Sequence, residues 1–165
     1  MFLLEPTAAQ FHPDGHLLAL GTNENVQVFD VRAASLGATL GPLAAPVSSL
    51  SFSENGYWLA LSTRGQATIE IWDLRKMRTA KTLQDAGGRV DCVAWDRSAQ
   101  FLAAAGAGGL SVQQFVKEGK QWLEPLRSAV PAVAAAWGHR ASRLVAVDGQ
   151  GVVSVLAGAK GKARE

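Results

Sequence analysis

Apolar and polar residues alternate along Val47-Ser-Ser-Leu50-Ser-Phe52, the pattern of a strand with one face buried and one exposed. Glu54-Asn55-Gly56 follows as a turn, because Gly and, more weakly, Asn tolerate positive φ. Trp58-Leu-Ala-Leu61 lacks alternation, which predicts a second strand covered on both faces. Arg64-Gly65-Gln66 makes the next turn, and Thr68-Ile-Glu-Ile-Trp-Asp73 alternates again as a third strand. Lys81-Thr-Leu83 begins a fourth, outer strand. No stretch carries a sustained helical stripe, so the chain is predicted to be nearly all β.

This unit occurs four times. Its copies begin at Phe11-His-Pro-Asp-Gly15, Phe52-Ser-Glu-Asn-Gly56, Trp95-Asp-Arg-Ser-Ala99 and Trp137-Gly-His-Arg-Ala141. The anchor aromatics are 41, 43 and 42 positions apart, and seven places after each sits Leu18, Leu59, Leu102 or Leu144. A period of about 40–45 residues built from short strands is the signature of WD-type propeller blades. One blade cannot bury its own apolar faces and needs neighbours on both sides. The third strands align too: Val26-Gln-Val-Phe29-Asp30 matches Ile69-Glu-Ile-Trp72-Asp73, and the match fades at Leu110–Gln114 and Val152–Leu156. Only the second copy keeps the Trp-Asp pair. The Gly-His dipeptide that precedes the first strand of intact repeats is missing in every copy. Pro42-Leu-Ala-Ala-Pro46 and Asp85-Ala-Gly-Gly88 occupy that region. The blades are therefore expected to rely on apolar packing more than on a buried polar network.

The repeats divide at approximately residues 7–46, 47–88, 89–131 and 132–157. Residues 1–157 then form a partial WD40-type β-propeller of about four blades, each an antiparallel four-stranded sheet, and residues 158–165 a basic polar tail. Propellers close with typically four to eight blades, and four loosely matched units are poor material for a closed ring. The expected architecture is the C-terminal half of a propeller. Its two end blades are expected to expose apolar faces of roughly several hundred Å² each, so that the chain aggregates, dimerises or binds a chaperone.

Composition narrows the class of function. Apolar residues are 48% and charged residues 18%, enough apolar material for a core and unlike a disordered chain. No apolar run approaches the ~18 residues of a membrane-spanning helix, and the start of the chain lacks the basic and long apolar parts of a secretory signal. The sole cysteine, Cys92, lies in the apolar segment 90–95 and is expected to be a reduced, buried small hydrophobe, which suits the cytosol or nucleus. A net charge of +2 is too small to argue for nucleic acid by itself.

Candidate chemistry is thin. His12 and His16 have a ligand-like spacing, but no cysteine pair accompanies them and Pro13-Asp-Gly15 makes a turn there. Gly106-Ala-Gly-Gly109 lacks the Lys-Ser/Thr and the helix of a phosphate loop and reads as a hairpin turn. His139, Ser142 and Asp148 fall in turns of the last unit with nothing to indicate convergence as a triad. No catalytic, cofactor or metal site is expected. Trp58, Trp72, Trp95 and Trp137 occupy repeat positions and are expected in the core, with Trp122 on an outer strand and partly exposed. Arg75, Lys76, Arg78 and Lys81 form a basic stretch after the second unit's third strand. It is either a solvated loop or a contact for an acidic partner or RNA phosphate. Reversing Arg75, Lys76 and Arg78 to Glu is expected to weaken partner binding without lowering thermal stability.

Ser51-Phe-Ser-Glu-Asn-Gly-Tyr57, Ile71-Trp-Asp-Leu-Arg-Lys76 and Lys81-Thr-Leu83 together resemble late blades of the pre-mRNA-processing factor 19 family. Phe11-His-Pro-Asp-Gly15 is similar to the blade before them, Lys120-Gln-Trp122 to the outer strand of the next, and Trp137-Gly-His139 to the opening of the last. The family joins a U-box that recruits a ubiquitin-conjugating enzyme, a coiled coil that forms a homotetramer, and a C-terminal propeller that binds substrates and partners. The resemblance implies a nuclear protein-interaction scaffold acting in pre-mRNA splicing and DNA repair. Its partners would be subunits of the spliceosome-activating complex and ubiquitylation substrates, with no membrane. These residues contain neither heptads for the coiled coil nor room for a U-box, so the family's ubiquitin-ligase activity is not expected to reside in them. Two further readings are a WD40 adaptor of an unrelated complex and a non-functional truncated gene product. An enzyme with a site in the propeller channel is another class, and no ring of carboxylates or histidines at equivalent positions supports it.

Overall fold

Short alternating segments closed by tight turns leave few options but antiparallel hairpins. The computed structural model describes residues 5–85, 87–138 and 142–157, and every regular element among them is a strand. The first sheet pairs β1 (Ala8–Phe11), β2 (Leu17–Gly21), β3 (Val26–Asp30) and β4 (Ser35–Leu40) in that order. The second pairs β5 (Val47–Phe52), β6 (Trp58–Thr63), β7 (Thr68–Asp73) and β8 (Arg78–Gln84). The third contains β9 (Val90–Trp95), β10 (Phe101–Gly106) and β11 (Gly109–Val116). Its outer strand is split into β12 (Gln121–Trp122) and β13 (Leu126–Ser128), both paired with β11. Among the described residues the fourth has three strands, β14 (Ala134–Trp137), β15 (Arg143–Val147) and β16 (Val153–Ala157).

The segments predicted at residues 47–52 and 68–73 are strands over those same residues. The outer strand of the second sheet starts earlier than expected, at Arg78. A bulge between Ile71 and Trp72 shifts the register, so that Asp73 pairs with Arg78 and Ile71 with Lys81. The glycine-rich segment 106–109 is a hairpin turn, with Gly106 opposite Gly109. Side-chain acceptors hold other turns. Asp96, almost fully buried, accepts backbone N–H bonds from Ser98, Gln100 and Phe101 at 2.8–3.0 Å. Asp148 accepts those of Gln150 and Val152, both at 2.8 Å.

The sheets stack in chain order, with inner strands β1, β5, β9 and β14 side by side. Each sheet has a front face toward the following sheet and a back face toward the preceding one. At the first junction, Ala19, Val26 and Val28 of the front meet Leu50, Phe52, Leu59, Leu61 and Trp72 of the next back. At the second, Ala60, Ile69 and Ile71 meet Val93, Trp95 and Leu102. At the third, Ala103, Ala105 and Leu110 meet Leu144 and Ala146, with Trp137 against them. An apolar front thus meets an apolar back three times over. Each fully buried Leu, Ile, Val or Phe stabilises the stack by about 1.5–3 kcal/mol, and this is why the blades hold together only as a series.

Burial refines two expectations. Trp72 and Trp95 are buried, whereas Trp58 and Trp137 are half-buried, each packed against a core cluster. Trp122 is half-buried too, its ring 5.7 Å from that of Trp95 and 5.3 Å from Phe115. Cys92 is half-buried against the third junction, because its strand lies at the inner edge of the blade.

Apolar packing is supplemented by a polar network at the exit of the second blade. Asp85, in the loop after β8, accepts hydrogen bonds from Ser111 Oγ (2.7 Å) and Gly87 N–H (3.0 Å) and pairs with Arg127. Burial alone would raise its pKa. The Arg127 guanidinium, the Gly87 N–H and the Ser111 hydroxyl outweigh that and hold the carboxyl below its ordinary value of 3.8. This network ties the second blade's exit to β11 and β13 of the third. No helix of the described residues is long and apolar enough to cross a membrane.

Candidate interaction surface

One rim of the blades collects the turns that follow β1, β3, β5, β7, β9 and β11. Antiparallel pairing places these six turns at the same end of their sheets. Two contacts tie successive blades along it. His12 Nε2 lies 3.1 Å from the carbonyl oxygen of Gly56, and Arg97 donates to Glu54 at 3.4 Å. The ring of His12 also meets that of Phe52 edge-on, with centroids 5.2 Å apart. His12 is therefore a blade-to-blade contact, while the His16 ring lies 3.6 Å from Asp14 within its own turn. Hydrogen bonding by His16 N–H and the two nearby imidazoles lowers the pKa of Asp14. No cluster of three or more His, Cys, Asp or Glu side chains able to hold a metal exists among the described residues.

The basic stretch does not act as one unit. Arg75 donates through Nε (3.1 Å) and Nη2 (2.9 Å) to the two oxygens of Asp73, and its guanidinium lies 4.5 Å from the centre of the Tyr57 ring. That two-point bond holds the buried Asp73 carboxyl below its ordinary range. Arg75 is thus engaged with its own blade, and its reversal to Glu would set two carboxylates together. The expectation that this change leaves stability untouched does not suit the site, because the cation is the counter-charge of a buried carboxylate. Lys76 and Arg78 are exposed at the turn and at the start of β8. Lys81 faces a different cleft, between the outer strands of the second and third blades, shared with Trp58, Phe115, Lys120 and Trp122.

Two residues that the charge pattern did not single out lie within the stretch. Tyr57 is half-exposed beneath Arg75, and Met77, at φ +51°, is exposed between Lys76 and Arg78. Tyr, Met and Arg are the residue types enriched in protein–protein contacts. The sequence signal for Tyr57 was its place after an Asn-Gly turn; for Met77 there was none beyond its basic neighbours. Of the imagined triad, Asp148 is engaged in its own turn, Ser142 has a partner, and His139 lies outside the described residues, as do residues 158–165.

Comparisons with known proteins agree with this architecture. The WD domain, G-beta repeat family matches residues 35–73, the segment that ends on Trp72-Asp73. Pre-mRNA-processing factor 19 of Schizosaccharomyces pombe is 34% identical over 117 residues, covering 70% of this chain and 24% of that protein. The Oryza sativa subsp. japonica protein of the same name is 40% identical over 104 residues, covering 61% and 19%. The Homo sapiens protein is 36% identical over 122 residues, covering 73% and 23%. The chain thus spans about a quarter or less of the length of these relatives. Among solved structures, the β-propeller domain of Myceliophteria thermophila Cps50 (Swd1) superposes with a TM-score of 0.81 at 18% identity, over 95% of this chain and 53% of that one. Kuenenia stuttgartiensis hydrazine synthase gives 0.77 at 12% identity, over 94% and 47%. At such identities the likeness concerns the fold alone. The chain is an arc of WD-type propeller blades, and in sequence it resembles pre-mRNA-processing factor 19.

Proposed function

We propose that this chain is a protein-interaction scaffold for pre-mRNA processing, equivalent to the partner-binding blades of a nuclear U-box ubiquitin ligase. The carrying observation is its similarity in sequence to pre-mRNA-processing factor 19 from yeast, plant and human sources. In such a ligase ubiquitin transfer is the work of the U-box, and the propeller recognises substrates and complex subunits. The physical means is a rigid stack of blades whose turns from several repeats form one composite surface.

The proposed contact is the second blade's rim, with Tyr57 and Met77 as apolar anchors and Lys76 and Arg78 as charges facing an acidic partner, Lys81 lying apart in the neighbouring cleft. Charge here also serves the fold, because Lys and Arg on the outer strand discourage edge-to-edge pairing. Arg75 orients Tyr57 rather than offering a free cation. The test is capture from nuclear extract by the immobilised chain, followed by protein identification. Recovery of pre-mRNA-processing subunits, and its loss on joint Lys76→Glu and Arg78→Glu substitution with an unchanged melting curve, is the expected result. Recovery of no such subunit would remove the reading, and equal capture by the double variant would move the contact elsewhere on the blades.

A further inference from the structure

The cleft that Lys81 faces opens between the outer strands of the second and third blades, both of which have a sheet on either side. Its apolar wall is aromatic. Trp58 of β6 meets Phe115 of β11 edge-on at 4.8 Å between centroids, and Phe115 lies 5.3 Å from Trp122 of β12. Behind them Trp95 lies 5.8 Å from Trp58 and 5.7 Å from Trp122. Its mouth is cationic. Lys81 on β8 and Lys120 in the turn after β11 are exposed, and no acidic side chain lines the cleft. Neither ammonium has a hydrogen-bond or ion-pair partner among the described residues. The indoles here also differ from the others in the chain. Trp72 donates its Nε1–H to Glu70 and Trp137 to the Ala94 carbonyl. Trp58, Trp95 and Trp122 donate to no protein acceptor among the described residues, although Trp95 is only 8% exposed.

These features select the chemistry of a ligand. The cleft holds about 400 Å³, within the ~300–1,000 Å³ of pockets that receive ligands. Its charged groups are both cations, and its indoles offer donors alone, so the complement is rich in acceptors and negatively charged. Its aromatic wall calls for an apolar group beside those charges. Single-stranded nucleic acid also joins negative charge to flat rings, but it binds by stacking bases on open aromatic faces. Here Trp58, Phe115 and Trp122 pack on one another and on Trp95, which favours insertion of one side chain over stacking of successive bases. We propose that the cleft takes an acidic peptide segment of a partner protein. One apolar side chain of the segment enters beside Trp58, Phe115 and Trp122, and flanking carboxylates meet Lys81 and Lys120. The site stands apart from the rim contact at Tyr57, Lys76 and Arg78 and does not rest on it.

The test is selection of random displayed peptides on the immobilised 165-residue chain, followed by fluorescence anisotropy of a selected peptide. Selected sequences are expected to carry Asp and Glu around one large apolar residue. Joint Lys81→Glu and Lys120→Glu substitution is expected to weaken binding by about tenfold or more. Ala80→Trp narrows the cleft at constant charge and is expected to weaken binding as well. All three positions are exposed, so both variants are expected to keep the wild-type melting curve. In a proton–nitrogen correlation spectrum the peptide is expected to shift the indole signals of Trp58, Trp95 and Trp122 and to leave those of Trp72 and Trp137 in place. The rim variant, Lys76→Glu with Arg78→Glu, is expected to bind the peptide as wild type does. Equal loss in the rim variant would mean diffuse attraction to positive charge and overturn the proposal. Selection of no peptide, or of peptides without acidic residues, would do so too, as would unchanged affinity in the cleft variants. Displacement of the peptide by single-stranded oligouridine that itself shifts the three indole signals would assign the cleft to RNA instead.

Discussion

Gln10 reaches from the first blade to the second, its Oε1 accepting the backbone N–H of Phe52 at 2.7 Å. The device recurs at the next junction, where Ser49 Oγ accepts from Val93 N–H (3.1 Å) and Ser51 Oγ from Trp95 N–H (2.9 Å). Each inner strand has a free ladder edge, and the front-face side chain of the preceding blade satisfies part of it. At the third junction the equivalent of Ser51 is Ala94, and the contact is reversed: Trp137 Nε1 donates to the Ala94 carbonyl at 2.9 Å. Polar matching along the inner edge thus sets how successive blades align, while apolar packing behind it supplies most of the stabilisation.

Ser51→Ala is expected to cost about 1–3 kcal/mol, the penalty for leaving a buried N–H without its acceptor. Ser51 is itself buried, so water does not readily replace it. Urea unfolding followed by tryptophan fluorescence measures this as a lower midpoint at unchanged slope. A midpoint equal to wild type would show that the Trp95 amide finds another partner.

Gly56→Ala is expected to destabilise by more than the ~1–2 kcal/mol that a left-handed backbone costs a residue with a side chain. Gly56 has φ +71°, and an added Cβ would collide with His12 Nε2. His12→Ala in the same chain should relieve the collision and leave the backbone cost. Thermal melts of the two single variants and the double variant separate the parts, and strict additivity would contradict the contact.

Arg75→Glu is expected to lower the melting temperature, and Lys76→Glu to leave it near wild type. The first change removes both bonds to the Asp73 carboxylate and sets a like charge beside it. The second alters an exposed cation. Calorimetry of both proteins decides, and equal melting temperatures would mean that the Asp73–Arg75 pair contributes nothing to the fold.

Acid stability is expected to depend on Asp85. Its folded-state pKa is lowered, so its contribution is complete above the ordinary value of 3.8 and is lost as pH falls through the lowered value. Asp73 adds in the same direction, Arg75 being its main cause. Asp85→Asn should therefore lower the melting temperature at neutral pH and flatten its fall below about pH 4. Melting curves between pH 2 and about pH 7 test this; parallel curves for variant and wild type would exclude the Asp85 carboxylate as the source.

The four-fold period, the strands 26–30, 47–52 and 68–73, and the glycine turns were all legible in the sequence. Each rests on interactions within a few residues: alternation for a strand, positive φ for a turn. The basic stretch was equally visible as charge, but its division was not. Whether Arg75 points at Asp73 or at solvent depends on the bulge that pairs Asp73 with Arg78. Tyr57 and Met77 carried no chemical signal until the rim placed them beside those cations.

By itself, then, the sequence determined the class of fold, the number of repeats and the resemblance to a splicing-factor family, because local patterning specifies strands and turns and a repeated pattern specifies repeated sheets. The tertiary structure alone decided which equivalent residues are buried. Phe11 and Phe52 hold the same position in their repeats, yet one is open and the other enclosed, because burial depends on the neighbouring sheet. It alone brought Asp85, Ser111 and Arg127 together, residues 26 and 42 positions apart in the chain. Side-chain pairing at such separations is settled by how blades stack.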